Sequence, residues 1–317
     1  MERILQRINH FLNGPEISIF HKFQKPPYGG GNQFLLALAK ELRRQGYDVG
    51  ANNIGRKTKV VLFNSFEFDR EKLEKLHKKY KPKMIQRLAG PIGTYRGTDT
   101  KIDEEIWTWN GEFADSTIFI SDYSYKKYLS LGLIYKDPHT ILNASDPEIF
   151  NRKGRIAPPD GKRKIRLVAT AWSDNPKKGG PLLSWLDQNL DHSKYELTFV
   201  GRTKAELKGA KVIDPVPSEK LAEILKTQDI YIAPSQDDPC SNALVEALTC
   251  GLPAVFLKSG GHPELVGEGG EGFSGEENVL EAIDKVAENY QKYQDKISNP
   301  TISETTKKYL EVLLSTK

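Results

Sequence analysis

Two successive runs of alternating strand and helix signals, one on each side of a stretch rich in Pro, Gly and charge at 147–163, constrain this chain more than any other feature. A strand that rejoins its own sheet in parallel needs a crossover of about a dozen residues or more, usually a helix. The alternation therefore predicts doubly wound α/β domains. In the first half, strands are read at 16–23, 59–63, 83–88, 115–121 and 139–142, with helices at 32–42, 69–79 and 125–131. After the linker come strands at 165–170, 195–200, 212–213 and 229–233, and helices at 181–190 and 218–226. The 317 residues are enough for two cores, each of about 150 residues. The linker sets the expected division at 1–150 and 151–299.

The chain is 38% hydrophobic and 28% charged, which argues against disorder. Its net charge of +4, from 46 Lys and Arg against 42 Asp and Glu, is too small a surplus to demand nucleic acid. It does suit an anionic nucleotide or a negatively charged membrane surface. No apolar run approaches the roughly 18 residues that span a bilayer, and no secretory apolar segment opens the sequence. A cytoplasmic protein is expected, with peripheral membrane contact left open. Cys240 and Cys250 are the only cysteines, placed around one helix signal, so a disulfide framework is not expected. The Asn143-Ala144-Ser145 sequon is read as coincidence. His21, His77, His139 and His192 lack metal-ligand spacing and are read as surface or packing residues.

Residues 233–272 carry the candidate site. The strand there stops at Pro234-Ser235, and Ser241 and Asn242 stand as N-caps of a helix closed by Gly251 and Pro253. Free N–H groups and the positive end of the helix dipole then meet at Cys240, Ser241 and Asn242, where a phosphate is stabilised. Asp238 and Glu246 bracket this point and can accept hydrogen bonds from flanking hydroxyls; equally, they read as solvated surface acids. A nicotinamide site fits poorly. The dinucleotide fingerprint Gly-x-Gly-x-x-Gly would end on Phe34 here, and no acid closes the second strand near Asn52-Asn53.

The run Asp238-Pro239-Cys240-Ser241-Asn242-Ala243-Leu244-Val245-Glu246, followed by Cys250-Gly251-Leu252-Pro253 and Gly260-Gly261-His262-Pro263-Glu264, resembles the C-terminal signature of family-4 retaining glycosyltransferases of the GT-B fold. The resemblance implies two Rossmann-like domains facing a cleft, with the tail, helical in pattern apart from Pro300, crossing back so that about 300–317 completes the first domain. It implies that Asp238, in place of the family's usual Glu, contacts the transferred sugar, and that Glu246 binds the ribose. Pro239, Cys240, Ser241, Asn242 and Ala243 would surround the donor phosphates. Pro26-Pro27-Tyr28-Gly29-Gly30-Gly31 matches the glycine loop of such enzymes, where Gly30 and Gly31 let backbone approach the donor. Lys178-Gly179 match a phosphate-binding loop whose Arg position falls here on Trp172 or Ser173, with Lys177 or Arg202 as substitutes. Asn143-Ala144-Ser145-Asp146 through Phe150 resembles an interdomain element. Gln86-Arg87, then Tyr95-Arg96-Gly97 and Asp103, resemble a first-domain loop, and Arg87 and Arg96 are candidate donor or acceptor contacts. Gln86 stands where His is common in the family.

The implied reaction moves a hexose with retention from a nucleotide sugar, GDP-mannose first and a UDP-sugar next, to a glycan or lipid-linked acceptor, without cofactor or metal. Lys178 would stabilise the leaving diphosphate. Binding or isomerisation of a sugar nucleotide without transfer is the alternative, with a nicotinamide oxidoreductase behind it.

Overall fold

The computed structural model describes residues 13–25 and 29–315. The first sheet is built from β1 (Ile17–Phe20), β2 (Val49–Ala51), β3 (Val60–Asn64), β4 (Lys83–Leu88), β5 (Ser116–Phe119) and β6 (Pro138–Thr140). Between them lie α1 (Gly30–Arg44), α2 (Arg70–Tyr80), α3 (Ile92–Arg96), α4 (Lys101–Phe113) and α5 (Asp122–Ser130). The second sheet comprises β7 (Ile165–Ala171), β8 (Tyr195–Gly201), β9 (Lys211–Ile213), β10 (Ile230–Ala233), β11 (Ala254–Leu257) and β12 (Gly270–Phe273). Its helices are α6 (Gly180–Asn189), α7 (Ser218–Lys226), α8 (Asn242–Thr249), α9 (His262–Val266) and α10 (Glu276–Glu288); then follow α11 (Tyr290–Asp295) and α12 (Ile302–Leu313).

Strand orders are β2-β1-β3-β4-β5-β6 and β12-β11-β10-β7-β8-β9, with parallel pairing throughout. Helices cover such sheets on both faces, which is why β3 (VVLFN) and β10 (IYIA) are buried at every position. Each order reverses once, between β1 and β3 and between β7 and β10. Ligands of open parallel sheets bind outside the carboxyl ends at such reversals. Both reversals open onto the same cleft, which is lined by residues that follow β1, β3, β7 and β10.

Side-chain caps fix several helix starts. Asp69 accepts from the Lys72 N–H, Ser121 from Ser124, Ser241 from Leu244, and Thr301 forms a reciprocal box with Glu304. The helical tail is three helices, and α12 returns to the first domain. Ile302, Tyr309, Val312 and Leu313 join Phe34, Leu38, Leu42 and Ile85 in one core, each contributing about 1.5–3 kcal/mol. Lys83 Nζ ties the end of α12 down through the carbonyls of Val312 (2.7 Å) and Ser315 (2.9 Å).

The structure departs from the sequence reading in three places. The strand read at 16–23 ends at Phe20, because His21 and Gln24 give their N–H groups to the side chains of Asn52 and Asn32 rather than to a ladder. The loop read around Arg96 and Asp103 contains α3 and the start of α4; the buried Asp103 carboxylate accepts from the N–H groups of Ile92 (2.7 Å) and Gly93 (3.0 Å) and so caps α3. Beyond Pro253, where no strand was read, the structure adds β11 and β12. Pairing of β12 requires glycine at 270, because a Cβ there would stand 1.9 Å from the Ala254 oxygen. Among the described residues no helix is long and apolar enough to cross a membrane.

Candidate functional site

The cleft between the two sheets has a volume of about 490 Å³. Its floor on the second-domain side is the turn after β10 and the start of α8. Asp238, only 8% exposed, lies there with its Oδ2 2.8 Å from Lys178 Nζ. Lys178 ends a short 3-10 turn, Pro176–Lys178, set up by Asn175, whose Oδ1 accepts from the Lys177 N–H. Burial works against the charge of Asp238, but Lys178 outweighs it and holds the carboxyl below its ordinary range. The same attraction raises Lys178. Both groups are therefore ionised in the empty cleft, each the other's counter-ion.

The two glycine positions sit opposite α8. Gly30 approaches so closely that a Cβ would meet the Asn242 amide at 2.3 Å, whereas a Cβ on Gly31 would stand in open space. Pro26, Pro27 and Tyr28, the first half of the loop, lie outside the described residues. The N-termini of α1 and α8 thus converge, and first-turn N–H groups have no intrahelical partner. Pro239, Cys240, Ser241, Asn242 and Ala243 all line this part of the cleft. Cys240 is buried, its thiol pushed up to about 12 by desolvation, so it serves as an apolar wall.

Glu246 lines a side recess of about 120 Å³ together with Gly30, Gly201, Val216, Asn242 and Ala243. Loss of water around its carboxyl pushes it up to about 8. The folded state therefore holds a proton that the unfolded chain releases near 4.5. Stability from this group is complete below the unfolded value and is lost as pH climbs to about 8. Glu246→Gln removes the dependence: thermal melts should show the wild type falling relative to the variant across that window and levelling off above it. Parallel curves would refute the assignment.

Other expected residues are distributed differently. Ser173 and Lys178 line both the cleft and a second cavity of about 360 Å³ behind the 3-10 turn. Arg202, over the Trp172 ring at 4.7 Å, lines the second cavity and not the cleft. Lys177 is a correction. Its ammonium donates to the Thr94 carbonyl (2.6 Å) and to Asp237 Oδ2 (2.8 Å), which spends it on a bridge between domains. Arg87 is another. Its guanidinium is 1% exposed and donates to Tyr309 Oη (3.2 Å), Asn64 Oδ1 (3.1 Å) and Asn143 Oδ1 (2.8 Å), with the Phe34 ring 4.7 Å away. Asn143 in turn donates to Asn242 Oδ1 at 3.2 Å, so the buried cation steadies the start of α8 from a distance. Arg96 is exposed beside the cleft, over the rings of Phe66 (5.4 Å) and Tyr95 (5.7 Å).

Two histidines are buried near the site. His21, 1% exposed, lines the cleft; burial and then Arg87 push its imidazole down to about 4, so it is neutral at physiological pH. Its place immediately after β1, at a sheet reversal, was the available signal. His262 is buried behind Asp238, between Ser235 Oγ and the Leu257 carbonyl, both at 3.0 Å. Among the described residues no three His, Cys, Asp or Glu side chains are grouped to hold a metal ion.

Comparison with known proteins places this geometry. Residues 175–301 match the family described as glycosyl transferases group 1. The chain is 23% identical over 311 residues to a probable sucrose-phosphate synthase of Thermosipho melanesiensis, covering 93% of this chain and 70% of that protein. It is 24% identical over 176 residues to the sulfoquinovosyl transferase SQD2 of Arabidopsis thaliana, of which it spans 34%. Among solved structures, Anabaena Alr3699/HepE in complex with UDP and glucose superposes with a TM-score of 0.71 at 15% identity, covering 95% of this chain and all of that one. Sucrose-phosphate synthase from Thermosynechococcus elongatus gives 0.66 at 14% identity, covering 94% of each chain. The two parallel-sheet domains have the GT-B architecture.

Proposed function

We propose, for a GT-B chain whose residues 175–301 match the glycosyl transferases group 1 family, a retaining hexosyltransferase that uses a nucleoside-diphosphate sugar and glycosylates a hydroxyl of a glycan or lipid-linked acceptor. The observation that carries this reading is the 2.8 Å Lys178–Asp238 pair at the mouth of a helix whose next turn holds Glu246 in a recess. A diphosphate laid between the N-termini of α1 and α8 would take the Lys178 ammonium as its counter-ion. Asp238, released from that pair, would then accept hydrogen bonds from the sugar hydroxyls. The ribose would enter the recess, where Glu246 meets its diol.

Charge on the leaving diphosphate grows as the glycosidic bond breaks, so the Lys178 ammonium and the α8 N–H groups act most strongly at the transition state. The departing phosphate oxygen is the base that receives the acceptor proton, and transfer occurs on the same face. Lys178 and the helix dipole do the work of a cation, so the reaction calls for no metal or other cofactor. Closure of the cleft excludes water, which competes with the acceptor. A lipid-linked acceptor would bring the chain to a membrane surface. UDP-glucose moves ahead of GDP-mannose as the donor because similar structures are complexes with UDP-glucose and with UDP.

Calorimetric titration against UDP-, GDP- and ADP-sugars and NAD tests the reading. One sugar nucleotide should bind saturably, and Glu246→Ala should weaken it by about tenfold, the effect of losing the carboxyl's hydrogen bonds to the ribose diol. Binding of none, or of NAD alone, would overturn it. Saturable binding without transfer to any acceptor would favour the alternative, a sugar-nucleotide-binding GT-B protein, which the absent Arg of the phosphate loop keeps in view.

A further inference from the structure

Lys177 and Asp237 stand one residue outside Lys178 and Asp238. The inner pair faces the cleft and the outer pair faces the first domain. Asp237 Oδ2 accepts from Lys177 Nζ at 2.8 Å, and its Oδ1 accepts from the Tyr123 hydroxyl at 3.0 Å. Lys177 Nζ reaches on to the Thr94 carbonyl at 2.6 Å. Tyr123 is also gripped from behind: the Glu264 carboxylate accepts the N–H groups of Asp122 and Tyr123, each at 3.0 Å. The start of α5 is therefore held at two points by the second domain. With Lys177–Thr94 as a third crossing, Asn175 adds a fourth, donating to the Arg96 carbonyl at 3.1 Å.

Asp237 has φ 54°, the left-handed region that few residues other than Gly, Asn and Asp enter. Such a conformation persists where its surroundings over-determine it. Here the Asp237 N–H donates to Ser259 Oγ at 2.9 Å while its carboxylate is shared between Lys177 and Tyr123. The next peptide is Asp238. Its carbonyl accepts from the Gly261 N–H at 2.9 Å, and Gly260 lies so close that a Cβ would stand 2.2 Å from that oxygen. The backbone of Asp238 is thus fixed downstream by its own domain and upstream by a residue whose carboxylate is fastened to the opposite domain.

We propose that Asp237 and Tyr123 are positioning residues: their contact fastens the two domains across the cleft mouth and, through the left-handed turn, sets where Asp238 stands. The positioning half of this inference rests on the transferase reading; the fastening half does not. Neither residue lines the cleft, so their loss should appear in turnover rather than in donor affinity.

The test uses the full chain with Tyr123→Phe, Asp237→Asn and the double variant. Phe keeps the ring, and Asn keeps both the size and the tolerance of positive φ, so folding is preserved. Small-angle scattering should show a larger radius of gyration for each variant than for the wild type. Unchanged radii would overturn the fastening. With the sugar nucleotide that the wild type turns over, kcat should fall about tenfold or more, within the range known for small misplacements of reacting groups. Donor KM should stay within about twofold, and the double variant should be no slower than the slower single one, since both break the same contact. A raised KM at unchanged kcat, or additive losses, would overturn the positioning role. A wild type that turns over no nucleotide sugar removes the transferase reading and the positioning role with it, while the scattering result still decides the fastening.

Discussion

Lys178→Ala is expected to lower turnover at saturating donor by about 10²–10³-fold, the range seen when a preorganised group facing developing charge is removed. Lys178 is the cation placed at the α8 mouth, whereas Lys177 is committed to Asp237 and Thr94, and Arg202 to the Trp172 face. Neither of these two cations is therefore free to replace it without breaking another contact. The substitution has a second signature. Asp238 is 8% exposed and held below its ordinary range chiefly by Lys178 against the cost of burial. Without the ammonium, burial prevails and the carboxyl rises, so the acid limb of the pH–rate profile should move to higher pH. Lys178→Arg should restore only part of the rate, because a planar fork cannot take the place of a compact ammonium in the same space. A rate within twofold of wild type for Lys178→Ala would remove the residue from the mechanism.

Arg87→Met should produce the largest loss of stability, about 3–5 kcal/mol, in denaturant unfolding followed by a first-domain probe such as Trp109 fluorescence. Met preserves apolar bulk but leaves Asn64, Asn143 and the Tyr309 hydroxyl without the donor that each now has from Arg87. Each orphaned buried acceptor costs about 1–3 kcal/mol. The loss should extend to the donor site, because Asn143 also holds the Asn242 side chain. A variant that unfolds with the wild type would show that the guanidinium is replaceable packing.

Much of this fold was legible because burial and local chemistry agree. β4 at Lys83–Leu88 and α7 at Ser218–Lys226 have the bounds read from the sequence. What escaped depends on partners remote in sequence. α3 exists because Asp103, about ten residues on, caps it, and β12 is a glycine-rich segment that pairs only because Ala254 comes so near. The same division holds at the site. Asp238, Lys178 and Gly30 line one cleft, as the family resemblance implied. Arg87 and Lys177 looked like free cations because the groups that occupy them, Tyr309 and Thr94 among them, lie far along the chain. His21 looked ordinary because the residue after a strand acquires meaning only when the strand order is known.

The return of α12 to the first domain has a bearing on how the protein is made. Residues 302–313 supply Ile302, Tyr309, Val312 and Leu313 to a core whose other members lie before residue 145. On the ribosome, the strands of the first sheet emerge early but must wait with part of their apolar surface uncovered until these last turns arrive. The second domain, whose sheet is finished by Phe273, reaches its own complete set of contacts sooner. Assembly therefore runs against the order of synthesis, and chaperone dependence during translation should concentrate on the half that is made first.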